Sequence, residues 1–341
     1  MDELAVRDGI ICEVISLGSC GNAVKQFEAI KSINTLKPHL QAAIYTSKFT
    51  EKVVLTPILT KENVPKPRSV PTGIWNSLKK SCNTYQLSAI SDVLSGKCKN
   101  NVGLIKGPPG TGKSSTIVGL VSALISGKPP LPGQRQFGCL IQSAAISQTQ
   151  PSAQRRILVL AVTNAAADTI AYLIWKGSIG HTGKTGEFQI ARFGSLPWER
   201  GTGHKQQPDK LSPCEKFLDD INVDRQAQRG MRRSQILQSA LVVVTTLSSA
   251  GSKTFINAVN NSKNQEFDAV VIDECCQASE PETLIPFKFN PTTVTLVGDP
   301  EQLRKCMWYR SCVSLFVAKH KTSYAYSTTL ISSSSGIDLV K

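Results

Sequence analysis

The sequence is short of the residues that announce a metal centre or a disulfide scaffold. It has four histidines, and none is spaced with a cysteine as metal ligands are. Its ten cysteines stand at 12, 20, 82, 98, 139, 214, 275, 276, 306 and 312, with no C-x-x-C pair among them. That scatter argues against both a zinc site and a disulfide framework and for reduced, largely packed thiols in an intracellular protein. Long hydrophobic runs are also missing. The most apolar stretch, 157–174, is broken by Thr163, Asn164 and Asp168, so no membrane span is expected. The amino-terminal "MDELAVRDG" has neither the basic nor the apolar region of a secretory signal. Acids are scarce beside bases, 25 Asp and Glu against 39 Lys and Arg, a net charge of +14. The surplus favours a polyanionic partner such as nucleic acid or anionic lipid; spread out as it is, it also serves general solubility.

What is present is an α/β pattern. The length of 341 residues and the 40 % hydrophobic content fit one large domain with appendages. The β-branched runs "VGLI" (102–105), "ILVLA" (157–161), "LVVVTT" (241–246), "AVVI" (269–272) and "TVTLV" (293–297) read as buried parallel strands. Helical periodicity separates several of them, in "KSSTIVGLVSALISG" and "NAAADTIAYLIWKG", each closing on a glycine. Strands alternating with helices imply a doubly wound parallel sheet with helices on both faces. Residues 1–75 read as an accessory region ending in a Pro/Lys-rich linker, "KENVPKPRSVPTG", and 76–303 as the core domain. Within it, 194–240 is an insertion whose basic end carries Arg225, Arg229, Arg232 and Arg233, and 304–341 reads as a flexible tail.

The strand 102–105 runs into "GPPGTGKS" (107–114), which matches G-x-x-x-x-G-K-[ST], and a helix follows. Gly107, Pro108, Pro109, Gly110, Thr111, Gly112, Lys113, Ser114 and Ser115 thus form a candidate phosphate cradle, in which backbone N–H groups and a helix N-terminus face the anion. Lys113 would meet the β- and γ-phosphates of ATP, and Ser114 would ligate Mg²⁺. A second Gly-Lys-Thr, in "GHTGKTG" (180–186), lacks a feeding strand and reads as a turn-rich loop. In "FDAVVIDECCQASEPE" (267–282) an apolar strand ends in two acids at the carboxyl edge of the sheet. Asp273 suits the Mg²⁺ shell and Glu274 suits orienting or deprotonating water; a solvated strand end is the plainer alternative.

The P-loop, D-E-x-x-Q and G-D-P-x-Q-L (298–303), in that order, resemble the first, RecA-like motor domain of superfamily 1 helicases, in particular the senataxin-like and nonsense-mediated-decay branch. The likeness runs from about Asn83 to Leu303. It implies that Gln86, in "NTYQLSAI", reads adenine, that Gln277 is the glutamine of D-E-x-x-Q, and that Gln302 senses the γ-phosphate. "LAVTNAAADTI" resembles a segment that touches the nucleic-acid backbone, which nominates Thr163 and Asn164; Val162 replaces the usual proline. "VVVTTLSSAG" resembles another such segment and nominates Thr245, Thr246 and Ser248. Short hydroxyls and amides suit contact without sequence preference, although Thr163 or Asn164 alone would first be read as a helix cap. Cys275 and Cys276 stand where the family has small residues, which favours packing over an oxidation-sensitive block of the site.

The resemblance implies ATP and Mg²⁺ as cofactors, single-stranded RNA or DNA as partner, 5′-to-3′ movement, no membrane, and a nuclear rather than cytoplasmic location. In the family a second RecA-like domain follows and supplies arginines to the γ-phosphate. Here Leu303 is followed by "RKCMWYRSCVSLFVAKHK", with Arg304 and Arg310 the nearby cations. The expectation is therefore a helicase motor domain truncated before its second half, with slow turnover. A nucleotide-dependent binding module that regulates or competes with a full-length helicase is the alternative. A P-loop ATPase unrelated to nucleic acid is a third class, against which the D-E-x-x-Q and G-D-P-x-Q-L pair speaks.

Overall fold

The computed structural model describes residues 4–7, 10–13, 21–45, 60–126, 155–178, 188–195, 213–228, 230–261 and 267–302. The polar loop after the first long helix, the "GHTGKTG" loop, Arg229, Leu303, Arg304, Arg310 and the tail lie outside them.

Eight strands are described: β1 (Leu4–Arg7), β2 (Ile10–Glu13), β3 (Val102–Lys106), β4 (Ile157–Ala161), β5 (Ile190–Arg192), β6 (Val242–Thr246), β7 (Ala269–Ile272) and β8 (Thr293–Gly298). β1 and β2 pair antiparallel; the other six form one sheet in the order β3-β8-β7-β4-β6-β5, and every pairing in it is parallel. The five apolar runs anticipated from the sequence are five of these strands. In β4, β6 and β7 every residue is buried, as an inner strand with helices on both faces requires. Edge strand β3 alternates between half-buried and buried residues.

Side-chain alternation divides the interior into two cores. Ile157, Val159 and Ala161 of β4 point to one, with Val244, Val271 and Val297, beneath helices Thr72–Ser81, Thr84–Leu94, Lys113–Ser126 and Asn164–Gly177. Leu158 and Leu160 point to the other, with Val243, Ile272 and Leu296, beneath helices Gly21–Lys31, Lys253–Asn260 and Glu280–Leu284. The fold is α/β with helices on both faces of a parallel sheet, as the alternation of strands and helices demanded.

Two expectations need correction. The Pro/Lys-rich stretch before residue 75 is no free linker. Val64 and Val70 are buried in the first core, Ser91 Oγ donates to Pro65 O at 2.6 Å, and Lys66 Nζ donates to Val70 O at 2.8 Å. Proline fixes an extended chain here, but the two valines and the backbone carbonyls anchor it. Part of the accessory region likewise packs onto the sheet, with Ala29, Leu36 and Leu40 in the second core. Conversely, β5 was not foreseen. It is three residues long and sits just before the expected insertion, whose described part forms helices Pro213–Ile221, Val223–Gln228 and Arg233–Ser239.

Candidate nucleotide site and nucleic-acid surface

β3 ends at Lys106, the chain turns through Gly107–Gly112, and the helix Lys113–Ser126 begins. Gly110 and Gly112 hold φ of 77° and 81°, in the left-handed region that glycine occupies without strain. A Cβ on Gly107 would come within 2.7 Å of Thr111 Oγ1 and 2.9 Å of Lys113 Cγ, so the hollow of this loop tolerates no side chain. Gly107 N donates to Gly298 O at 3.1 Å, which ties the loop to the end of β8. Ser114 is half-buried and Ser115 exposed.

Lys113 is only 9 % exposed, and its Nζ donates to Gly107 O at 3.0 Å. The same ammonium lies 3.4 Å from Glu274 Oε1, just past the end of β7. The other carboxylate oxygen, Glu274 Oε2, is buried and has no hydrogen-bond partner, an expensive condition unless a ligand or water answers it. Glu274 also has φ 50°, ψ 39°, a left-handed conformation uncommon outside glycine and a local strain of the kind functional sites hold. Asp273 precedes it, buried, and Asp273 Oδ1 accepts from Glu274 N at 3.0 Å. Burial above all, and then the Glu274 charge, push the Asp273 carboxyl up to about 6, against smaller opposing effects from the Glu274 N–H and Lys113. Two carboxylates and one ammonium thus converge beside a cradle shaped for phosphate.

Gln86, which the resemblance nominates for adenine, is engaged with the protein in this structure. Its Oε1 accepts from Asn83 N at 2.9 Å in a capping box, and its Nε2 donates to Thr111 O at 3.1 Å and Gly112 O at 3.4 Å. It braces the P-loop from the preceding helix, Thr84–Leu94. Gln277 closes the short helical turn Cys275–Gln277, its N–H donating to Glu274 O at 2.9 Å. Gln302 is half-buried, and its N–H donates to Asp299 O at 3.3 Å. Glu301 reaches back to Lys106 at 2.7 Å. Cys275 and Cys276 are buried with sulfurs 4.0 Å apart, and the contact with Cys276, then burial, pushes the Cys275 thiol well up, which disfavours its thiolate.

The candidate backbone-contact residues lie at the carboxyl ends of β4 and β6. Thr163 is exposed, and its Oγ1 accepts from Ala166 N at 3.2 Å, so it caps helix Asn164–Gly177. Thr246 is buried and caps the turn Leu247–Ala250 in the same way, with Ser249 N at 3.1 Å. Thr245 is 0 % exposed and donates to Phe193 O at 3.0 Å, so it braces the loop from within and presents no hydroxyl to a ligand. Ser248 Oγ donates to Asn22 Oδ1 at 2.7 Å.

What holds these loops together was not read from the sequence. Arg192, the last residue of β5, is 0 % exposed. Its Nε donates to Asp168 Oδ1 at 2.9 Å, its Nη2 to Asn164 Oδ1 at 3.0 Å, and its Nη1 to Phe193 O, the carbonyl Thr245 also uses. One guanidinium fork therefore links helix Asn164–Gly177 to the ends of β5 and β6. Asp168 inside an apolar helical stretch was the available hint, since a buried acid needs a cation.

Among the described residues no helix is long and apolar enough to cross a membrane, and no cluster of three or more His, Cys, Asp or Glu could hold a metal ion. The AAA-domain family model matches residues 81–211 and 198–307, well over half of the chain. A probable helicase of Dictyostelium discoideum is 26 % identical over 309 residues, which cover 69 % of this chain and 31 % of that protein. Helicase SEN1 of Saccharomyces cerevisiae is 25 % identical, over 76 % of this chain and 15 % of its own length. The ATP-dependent helicase upf1 of Schizosaccharomyces pombe is 26 % identical, over 73 % and 24 % respectively. The chain thus spans less than a third of each of these relatives. A P-loop closed by Lys113, a strand ending in Asp273 and Glu274, and G-D-P-x-Q-L at the tip of β8 all fall inside the matched residues, and the chain belongs to the AAA-domain family, as a superfamily 1 helicase homologue of the senataxin and Upf1 type.

Proposed function

We propose that this chain binds ATP with Mg²⁺ in the Gly107–Ser115 cradle and single-stranded RNA or DNA across the carboxyl ends of β4 and β6, as the first motor domain of an ATP-dependent helicase. The observation that carries the reading is the contact of Lys113 with Glu274 beside a buried, unpartnered Glu274 Oε2. The fit to a metal–nucleotide pair is good: the loop hollow excludes a Cβ, and the donors are a hydroxyl, two carboxylates and an ammonium. Ser114 and Asp273 would hold Mg²⁺, which when bound neutralises phosphate charge. Lys113 exchanges Glu274 for the phosphates. Glu274, freed, orients a water and takes its proton. Gln302 and Gln277, in the segments that follow β8 and β7, would report on the phosphate end, as the resemblance implies.

Binding of a fluorescent ATP analogue, with and without Mg²⁺, tests this. Lys113→Ala should abolish it; undiminished binding in that variant would remove the P-loop assignment. Hydrolysis should be slow, because the charge that grows on the transferred phosphoryl group needs several cations and this cluster brings one. A steady-state ATPase assay with single-stranded RNA checks it against a chain extended by a relative's second motor domain. Equal stimulated rates in both would overturn the slow-turnover reading. The senataxin likeness supports a nuclear site of action, which imaging of a tagged chain tests.

A further inference from the structure

We propose that Lys25, on the helix Gly21–Lys31, is a backbone-phosphate contact of the nucleic-acid surface, an inference that rests on the nucleic-acid reading above. The resemblance nominated Ser248 for that role, but the Ser248 hydroxyl is already engaged. It donates to Asn22 Oδ1 at 2.7 Å and accepts from Lys25 Nζ at 3.2 Å. The Lys25 ammonium brings a positive charge to this corner.

Three features make it suitable. Lys25 is held in place: a Cβ on Gly251 would lie 3.0 Å from Lys25 Cδ and 3.1 Å from its Cβ and Cγ, so the stem runs along the Gly251 backbone and delivers the head group to Ser248. The helix that carries it is anchored by Ala29 in the second core. Among the described residues no carboxylate lies within ion-pair distance of Lys25 Nζ, and its only polar partners are Ser248 and Asn22. A half-buried, unneutralised lysine clamped beside the loop at the end of β6 has the chemistry of a phosphodiester contact, and it carries no base preference.

The test is binding of a fluorescein-labelled oligouridylate to the full chain as a function of salt, for wild type, Lys25→Ala, Lys25→Arg and Lys80→Ala. Lys80 is exposed on helix Thr72–Ser81 and serves as a control for diffuse charge. Loss of one phosphate contact lowers the log–log salt slope by about 0.7 for a single strand. With the contact worth nothing at 1 M salt, this is roughly an eightfold loss of affinity at 50 mM and about threefold at 200 mM. Lys25→Ala should show that loss with ATP-analogue binding unchanged, and Lys25→Arg should keep the wild-type slope. An unchanged slope in Lys25→Ala, or an equal fall in Lys80→Ala, overturns the inference while leaving the nucleic-acid reading intact. A wild-type chain that binds no oligouridylate at any salt defeats the nucleic-acid reading itself, and Lys25 with it.

Discussion

Replacing Asp273 with Asn should make the nucleotide-free chain more stable above pH 6 while removing its Mg²⁺-dependent nucleotide binding. The Asp273 carboxyl is pushed from its ordinary 3.8 to about 6, first by burial and then by Glu274. A carboxyl that holds its proton more tightly in the folded chain favours folding at pH below 3.8. That advantage is lost as pH rises through 6, where a charge must be kept in a dry place. The interval from 3.8 to about 6, at 1.36 kcal/mol per pH unit, is about 3 kcal/mol. The amide of Asn keeps an oxygen to accept from Glu274 N and carries no charge, so it escapes that cost. Urea unfolding at pH 4 and pH 8 reads the effect. The two proteins should differ little at pH 4, and the variant should gain up to about 3 kcal/mol at pH 8. Mg²⁺ with an ATP analogue should then stabilise wild type and not the variant. A variant that is less stable than wild type at pH 8 would refute the account of Asp273 as a charge held against its own burial.

Other outcomes follow from the same geometry. Glu274→Gln should retain ATP-analogue binding, since Lys113, Ser114 and Asp273 are untouched, but cut hydrolysis by at least tenfold because the water loses its proton acceptor; single-turnover rates check it. Arg192→Met should destabilise by roughly 3–5 kcal/mol in chemical denaturation, because Asp168 is left buried without its cation. Pairing that change with Asp168→Leu should recover much of the loss, and no recovery would mean the fork matters only as packing.

The inner strands were legible because they are buried on both faces, and "ILVLA" and "AVVI" have no other stable use in an α/β chain. β5 was not legible. At three residues it is too short for periodicity, and its one conspicuous residue, Arg192, reads as surface charge until Asp168 is seen opposite it. The P-loop showed itself because its chemistry is local. The contact of Lys113 with Glu274 is not local, since only the parallel pairing of β3, β8 and β7 brings their ends together. Thr245 and Ser248 meet a related limit: in the structure their hydroxyls donate to Phe193 O and Asn22 Oδ1. A hydroxyl at a strand end serves a ligand or a neighbouring loop equally well, and only tertiary contacts separate the two.

Gly298 sits where three loops meet. It accepts from the P-loop at Gly107 N, it begins the turn toward Gln302, and a Cβ placed on it would lie 2.8 Å from Cys276 Sγ and 3.1 Å from Cys275 Sγ. These loops have no slack between them, so a displacement of one is passed to the others as if through a rigid joint. A shift of the P-loop backbone at Gly107 should therefore be felt at the 299–302 turn, because Gly298 belongs to both through that hydrogen bond.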